Sequence, residues 1–181
     1  MRVIAGQFRG RKLVSARDSD IRPATDRVKE TIFNILQNKL SLGSALVLDL
    51  FAGTGSLGIE AISRGAAHAD FVDTTEKSLR LLRDNIAHLR CESLCTVIKA
   101  DAMRFIETTE KQFDLIFADP PYAFEETTFI PERIFERNLL KKKGFVIIEY
   151  SKSTEFPESR RYQVVERKEF GQTSVSFFSG R

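Results

Sequence analysis

The chain has 181 residues, with 28 Lys and Arg against 25 Asp and Glu, a formal charge of +3, and 42% hydrophobic residues that include 15 Phe. This length predicts one domain with at most a short addition, burying roughly 70% of its unfolded surface. The near balance of charge excludes an acidic disordered chain and whole-molecule attraction to polyanions. No apolar run reaches the roughly 18 residues that span a bilayer, and residues 1–5 lack a signal-peptide apolar core, so a soluble, cytoplasmic protein is expected.

Residues 1–25 differ in kind from the rest. Arg2, Arg9, Arg11, Lys12, Arg17 and Arg22 face only Asp18 and Asp20, and Gly6 and Gly10 punctuate two short β-like runs. A basic N-terminal β-hairpin appendage is expected, with the main domain over 26–181. Arg2, Arg9, Arg11, Lys12 and Arg22 suit phosphate contacts, and Phe8 suits stacking on an unpaired base. Val28, Ile32, Phe33, Ile35, Leu36 and Leu40 then recur at helical spacing, which predicts a linking helix over 26–40 capped by Thr25 or Asp26.

Short apolar runs next alternate with amphipathic stretches. Strands are expected at 46–50, 69–73, 95–99, 115–118 and 145–150, with helices at 56–64, 76–89 and 102–110 and a broken one at 131–138. The charge run 141–143 reads as a solvated turn before a strand. Residues 162–170 and 173–179 are β-rich with only Gly171 and Gln172 between them, a closing hairpin. The βα alternation implies an α/β fold with a mostly parallel sheet, and the hairpin sets one strand against it, giving about seven strands in all. Cys91 and Cys95 have no partners at zinc spacing, and His68 and His88 are the only histidines. Reduced thiols and no metal site follow.

Two stretches carry chemistry. Asp49-Leu-Phe51-Ala-Gly53-Thr-Gly55-Ser-Leu-Gly58 follows the first strand and opens a helix. Gly53 and Gly55 permit a tight turn open to a ligand, and Gly58 lets the helix approach the sheet. Asp73 ends the second strand 20 residues after Gly53, where a carboxylate can accept from both hydroxyls of a ribose. Asp49 argues against a dinucleotide, whose pyrophosphate would lie beside it, and in favour of S-adenosylmethionine, whose ammonium and sulfonium are positive. Asp101 suits the amino group of an adenine and equally suits a helix cap.

The second stretch is Asp119-Pro120-Pro121-Tyr122 at the end of the fourth strand, the edge where open α/β sheets bind ligands. The prolines make a rigid corner with backbone carbonyls available as acceptors. Asp119 with the Pro120 carbonyl can take both hydrogens of an exocyclic amine while Tyr122 stacks on the base.

These motifs resemble the class I S-adenosylmethionine methyltransferases that modify exocyclic amines of nucleobases. The stretches 2–13 and 22–34, with Phe170-Gly-Gln-Thr173 near the end, resemble more narrowly the RsmD-type 16S ribosomal RNA guanine-N2 methyltransferases, over essentially the whole chain. The resemblance implies a Rossmann-like fold and methyl transfer to the amino group of one guanine in small-subunit RNA already assembled with ribosomal proteins, by a monomer. It implies that Asp49, Gly53 and Gly55 line the methionine end of the cofactor, that Asp73 takes its ribose and Asp101 with Ala102 its adenine, and that Phe51 is a further cofactor contact. Asp119 to Tyr122 would hold the target base. Two positions depart from the family pattern: Thr75 stands where a second acid is usual, and Ala24 where Thr is usual. Adenine-amino methylation of DNA or RNA, a nicotinamide-dependent oxidoreductase and a non-catalytic assembly factor are the competing readings.

Overall fold

Val47 and Leu48 point to opposite faces of one strand and both are buried, so the sheet containing them is covered on both sides. The computed structural model, which describes residues 1–14 and 26–181, builds this sheet from seven strands. They are β1 (Leu46–Leu50), β2 (His68–Asp73), β3 (Cys95–Lys99), β4 (Phe113–Ala118), β5 (Leu140–Ser151), β6 (Tyr162–Phe170) and β7 (Thr173–Gly180). Their order is β3-β2-β1-β4-β5-β7-β6. β1 to β5 run parallel, and β7 lies antiparallel between β5 and β6, as the closing hairpin requires. The chain moves outward from β1 to β3 and then returns to β4 on the other side of β1. A crevice therefore opens at the C-terminal ends of β1 and β4.

Three helices cover one face: α1 (Asp26–Leu36), α2 (Ser56–Ser63) and α3 (Glu76–Leu89). Their Phe33, Ile59 and Leu82 belong to one core with Val47, Phe71 and Phe117. On the other face, α4 (Ala102–Thr108) and α5 (Ile130–Glu136) share a second core with Leu48, Val72, Ile116 and Ile148.

Two elements depart from expectation. α1 ends at Leu36 rather than at residue 40, because exposed Gln37, Asn38 and Lys39 offer nothing to bury and the chain loosens into a turn. β5 starts at Leu140, so the run 141–143 belongs to the strand and not to a turn before it. Its ladder with β4 slips between Phe113 and Leu115, and the Lys141 ammonium pairs with Asp114 at 2.9 Å. Largely exposed lysines leave no burial alternation from which a strand can be read.

The N-terminal segment is less regular than two β runs: one antiparallel bridge joins Arg2 and Lys12, while Val3 and Leu13 are buried in the core. Arg22, together with Arg17, Asp18, Asp20, Ala24 and Thr25, lies outside the described residues. A buried polar cluster on α1 and α2 holds the segment down. Glu60 accepts the amides of Ile4 and Ala5 at 2.8 and 3.0 Å and the Arg64 Nε at 2.8 Å. Lys29 Nζ donates to the Arg2 carbonyl at 2.7 Å and to Ser56 Oγ at 3.1 Å, and lies 3.8 Å from Glu60. Burial pushes the Lys29 amine below its ordinary pKa, and the Glu60 charge opposes that shift. Glu60→Ala leaves this buried ammonium without its counter-ion and the half-buried Ile4 and Ala5 amides without an acceptor. A loss of about 3–5 kcal/mol is expected, read as a lower urea midpoint at constant m-value; an unchanged midpoint would contradict the anchoring role.

Candidate active site

The loop after β1 shapes the crevice. Gly53 and Gly55 take left-handed backbone conformations, φ 55° and 79°, and Gly55 caps the N-terminus of α2. A Cβ at Gly55 would fall 2.3 Å from the Leu82 side chain, and one at Gly58 would fall 2.3 Å from the Phe71 ring. α2 therefore approaches β2 and α3 at a distance that only glycine permits. Phe51 adopts φ 57°, a conformation rare for a side chain of its size, and its ring meets Phe124 edge-on at 5.0 Å.

The acids Asp49, Asp73 and Asp101 lie at the C-terminal ends of strands, and each also has structural work. Asp49 is buried and accepts the Gly58 amide at 2.8 Å, which holds the start of α2 against β1. Burial pushes its carboxyl up to about 8; the Gly58 amide opposes the shift, and the neighbouring charges of Asp119 and Asp73 add to it. Asp73 accepts the Gly53 amide at 2.9 Å through one oxygen and the Thr75 amide at 2.9 Å through the other. Thr75 also caps α3, its hydroxyl 3.0 Å from Asp73 and 2.7 Å from the Ser78 hydroxyl. Thr75 thereby orients the Asp73 carboxylate. Asp101 caps α4 by accepting the Arg104 amide at 2.9 Å.

Two clefts of about 340 Å³ each meet at Phe51, Asp119 and Pro121. One is bounded by Asp73, Thr75, Asp101, Ala102 and Phe124, and brings together the acids after β2 and β3. The other is bounded by Asp49, Gly53, Ser56, Pro120, Tyr122 and Glu149. Pro121 accepts the Phe124 amide at 2.8 Å, which closes the corner as a tight turn. The Tyr122 ring is 43% exposed, and its hydroxyl bonds to that of Thr173 at the start of β7. The corner thus rests on the closing hairpin, a contact between residues 51 apart in the chain.

The basic residues lie on a neighbouring surface. Arg9, Arg11 and Lys12 are exposed; Arg11 donates to the His88 carbonyl at 3.2 Å, and Arg2 pairs with Asp26 at 3.3 Å. Phe8 packs half-buried against the core, its amide held by Ser63 at 3.0 Å. The segment is tied to the crevice through Asn85, which bonds Val14 in both directions and donates to the Thr54 carbonyl at 3.0 Å. Met1 itself borders the Asp49 cleft, its sulfur 3.8 Å from the Thr54 hydroxyl.

Sequence reasoning missed Met1, Ser56, Phe124 and Glu149 as cleft residues. Only Glu149 left a signal, as the single charge inside the apolar run Phe145-Val-Ile-Ile-Glu-Tyr150.

Comparison with known proteins agrees with this geometry. A family model described as Conserved hypothetical protein 95 matches residues 1–179. YlbH of Bacillus subtilis is 38% identical, with 100% of each chain covered. Ribosomal RNA small subunit methyltransferase D of Haemophilus influenzae is 33% identical over 98% of this chain and 93% of its own. The solved structure of yhhF from Escherichia coli is 30% identical and superposes with a TM-score of 0.83, covering 100% of this chain and 98% of the other. With a seven-stranded class I sheet, a glycine loop and an Asp-Pro-Pro-Tyr corner meeting in one crevice, the chain belongs to this family, the RsmD-type methyltransferases.

Proposed function

We propose that this rRNA methyltransferase uses S-adenosylmethionine to methylate the N2 amino group of a guanine in small-subunit 16S ribosomal RNA. The observation that carries the reading is the Asp119 to Tyr122 corner, which stands where the two clefts meet. A cofactor lying along both clefts and a base entering beside Tyr122 would come together there.

The residues fit such a cofactor. Asp73 presents its carboxylate beside the backbone of Gly53, suited to a ribose diol, and Asp101 with Ala102 borders the same cleft on the adenine side. At the other end Gly53 and the buried acid Asp49 suit a cationic amino acid moiety, with Phe51 where the two clefts meet; Gly55 borders neither cleft and acts through the turn into α2. When bound, S-adenosylmethionine supplies an electrophilic methyl group on a sulfonium. Asp119 and the Pro120 carbonyl accept the two hydrogens of the guanine amine and aim its lone pair at that methyl, while Tyr122 stacks on the ring. Catalysis is then mainly positioning, and Asp119 is also placed to receive the proton that the amine sheds. A paired base cannot reach this corner, so the target is an unpaired or flipped guanine. Arg2, Arg9, Arg11 and Lys12, with Phe8 in the same described segment, are assigned to RNA contact, and Arg22 is assigned to it from the sequence alone.

The test is methyl transfer from labelled S-adenosylmethionine to small ribosomal subunits purified from cells lacking this protein, followed by nucleoside identification. Labelled N2-methylguanosine is the expected product. Methyladenosine would overturn the choice of base, and label in naked 16S RNA but not in subunits would overturn the assembled substrate.

A further inference from the structure

From the side chains gathered beside Asp119, we infer that Glu149 reads the Watson–Crick edge of the target base and makes the pocket selective for guanine. This inference rests on the guanine reading proposed above and adds a specificity residue to it. β1, β4 and β5 are adjacent, and the ladder pairs Asp49 with Phe117, Phe117 with Ile147, and Ala118 with Ile148. β4 ends at this last pair, and the residues that follow Ala118 and Ile148 are Asp119 and Glu149. Within β5, alternation puts Glu149 on the face of Ile147, which shares a core with Phe117 and Val47. Glu149 is only 9% exposed and borders the cleft together with Asp119, Pro120 and Tyr122.

A buried acid costs solvation, and a hydrogen-bond donor entering the cleft that Glu149 borders would offset that cost. Guanine presents two neighbouring donor groups on one edge, the N2 amine and the N1–H. Two carboxylates side by side match that pattern, with Asp119 on the amine and Glu149 on N1–H. Adenine presents an amine beside N1, which is an acceptor, and a carboxylate facing it would be repelled. A site built to accept a particular hydrogen bond rejects the analogue that lacks the donor, because its own buried acceptor is then left unpaired. Glu149 thus discriminates the base, whereas Asp119 holds the reacting amine.

The discriminating substrate is 16S RNA, in reconstituted subunits, with 2-aminopurine at the target position: it keeps the 2-amino group and has an acceptor at N1. The wild-type enzyme is expected to favour guanine over 2-aminopurine by about 10- to 100-fold in kcat/KM. In Glu149→Gln, whose amide can donate to N1, this ratio is expected to collapse towards unity, with the affinity for S-adenosylmethionine unchanged. A purely structural role would slow both substrates alike and leave the ratio intact, which would overturn the inference. Equal use of both bases by the wild-type enzyme would overturn it without any variant, even where Glu149→Gln fails to fold. Failure of the guanine reading itself shows separately, as absence of N2-methylguanosine from wild-type enzyme acting on unmodified subunits.

Discussion

Asp119→Ala is expected to lower methyl transfer by about 10²- to 10³-fold, the cost of losing one preorganised acceptor at the reacting atom. The affinity for S-adenosylmethionine should persist, because the contacts assigned to the cofactor come from the loop after β1 and from the ends of β2 and β3. Asp119 is also one of the charges that raise the Asp49 carboxyl. Its removal should therefore shift the pH dependence of cofactor binding slightly towards acid. Single-turnover kinetics with saturating cofactor, set beside calorimetric binding, separates the two effects. Full activity in the variant would remove Asp119 from the amine-holding role, and loss of cofactor binding would move it to the cofactor side.

The second large effect concerns Asp49. Its carboxyl is held at about 8 by burial, far above the value of 3.8 for a free side chain. Between these values the folded protein keeps a proton that the unfolded chain has released. The resulting stabilisation is fully present below the unfolded pKa and is lost as pH rises through about 8. Asp49→Asn keeps the oxygen that accepts the Gly58 amide and removes the titration. At about pH 8.5 this variant should unfold at a higher temperature than the wild type, by roughly 2–4 °C for each kcal/mol recovered, while at about pH 5 the difference should shrink.

Cofactor binding should show the opposite dependence. A cation beside Asp49 favours the ionised carboxylate, so below about pH 8 binding releases a proton and affinity rises with pH, by up to about tenfold per unit. In Asp49→Asn that slope should vanish and the affinity at pH 8 should fall by about 10-fold or more. Calorimetry in buffers of differing ionisation enthalpy measures the proton release directly. A slope that persists in the variant would show that another group supplies it.

Stability and binding thus pull on Asp49 in opposite senses. Its buried acid is costly to the fold, and the proposed placement of the cofactor's cation beside it would offset that cost. Asp73 and Asp101 differ: backbone amides of Gly53, Thr75 and Arg104 hold them in place. They serve as caps and turn anchors before any ligand arrives.

Much of this was legible in the chain because its signals are local. The apolar runs of β1 to β4, the amphipathic α3 and the hairpin β6–β7 are short-range patterns, and the structure reproduces them to within a few residues. Asp49 and the glycines at 53, 55 and 58 were equally readable, since they fall within ten residues of one another, and Asp73, Asp101 and Asp119 each stand just after an apolar run. The Asp-Pro-Pro-Tyr corner is covalently contiguous, so its rigidity needs no partner to be inferred.

What the sequence by itself determined was the alternation of strands and helices, the loop and the corner, and with them the family. Only the tertiary structure decided how residues far apart in the chain share one crevice. The anchoring of residues 1–14 depends on Glu60 and Lys29, whose charges look solvated in sequence and become buried only when α1 packs on α2. The contact of Tyr122 with Thr173 and the placing of Glu149 and Asp119 on one cleft depend on strand order. Strand order is fixed by pairing across the sheet. No spacing along the chain encodes it, because the hydrogen bonds that set it join residues whose separation carries no periodic signal.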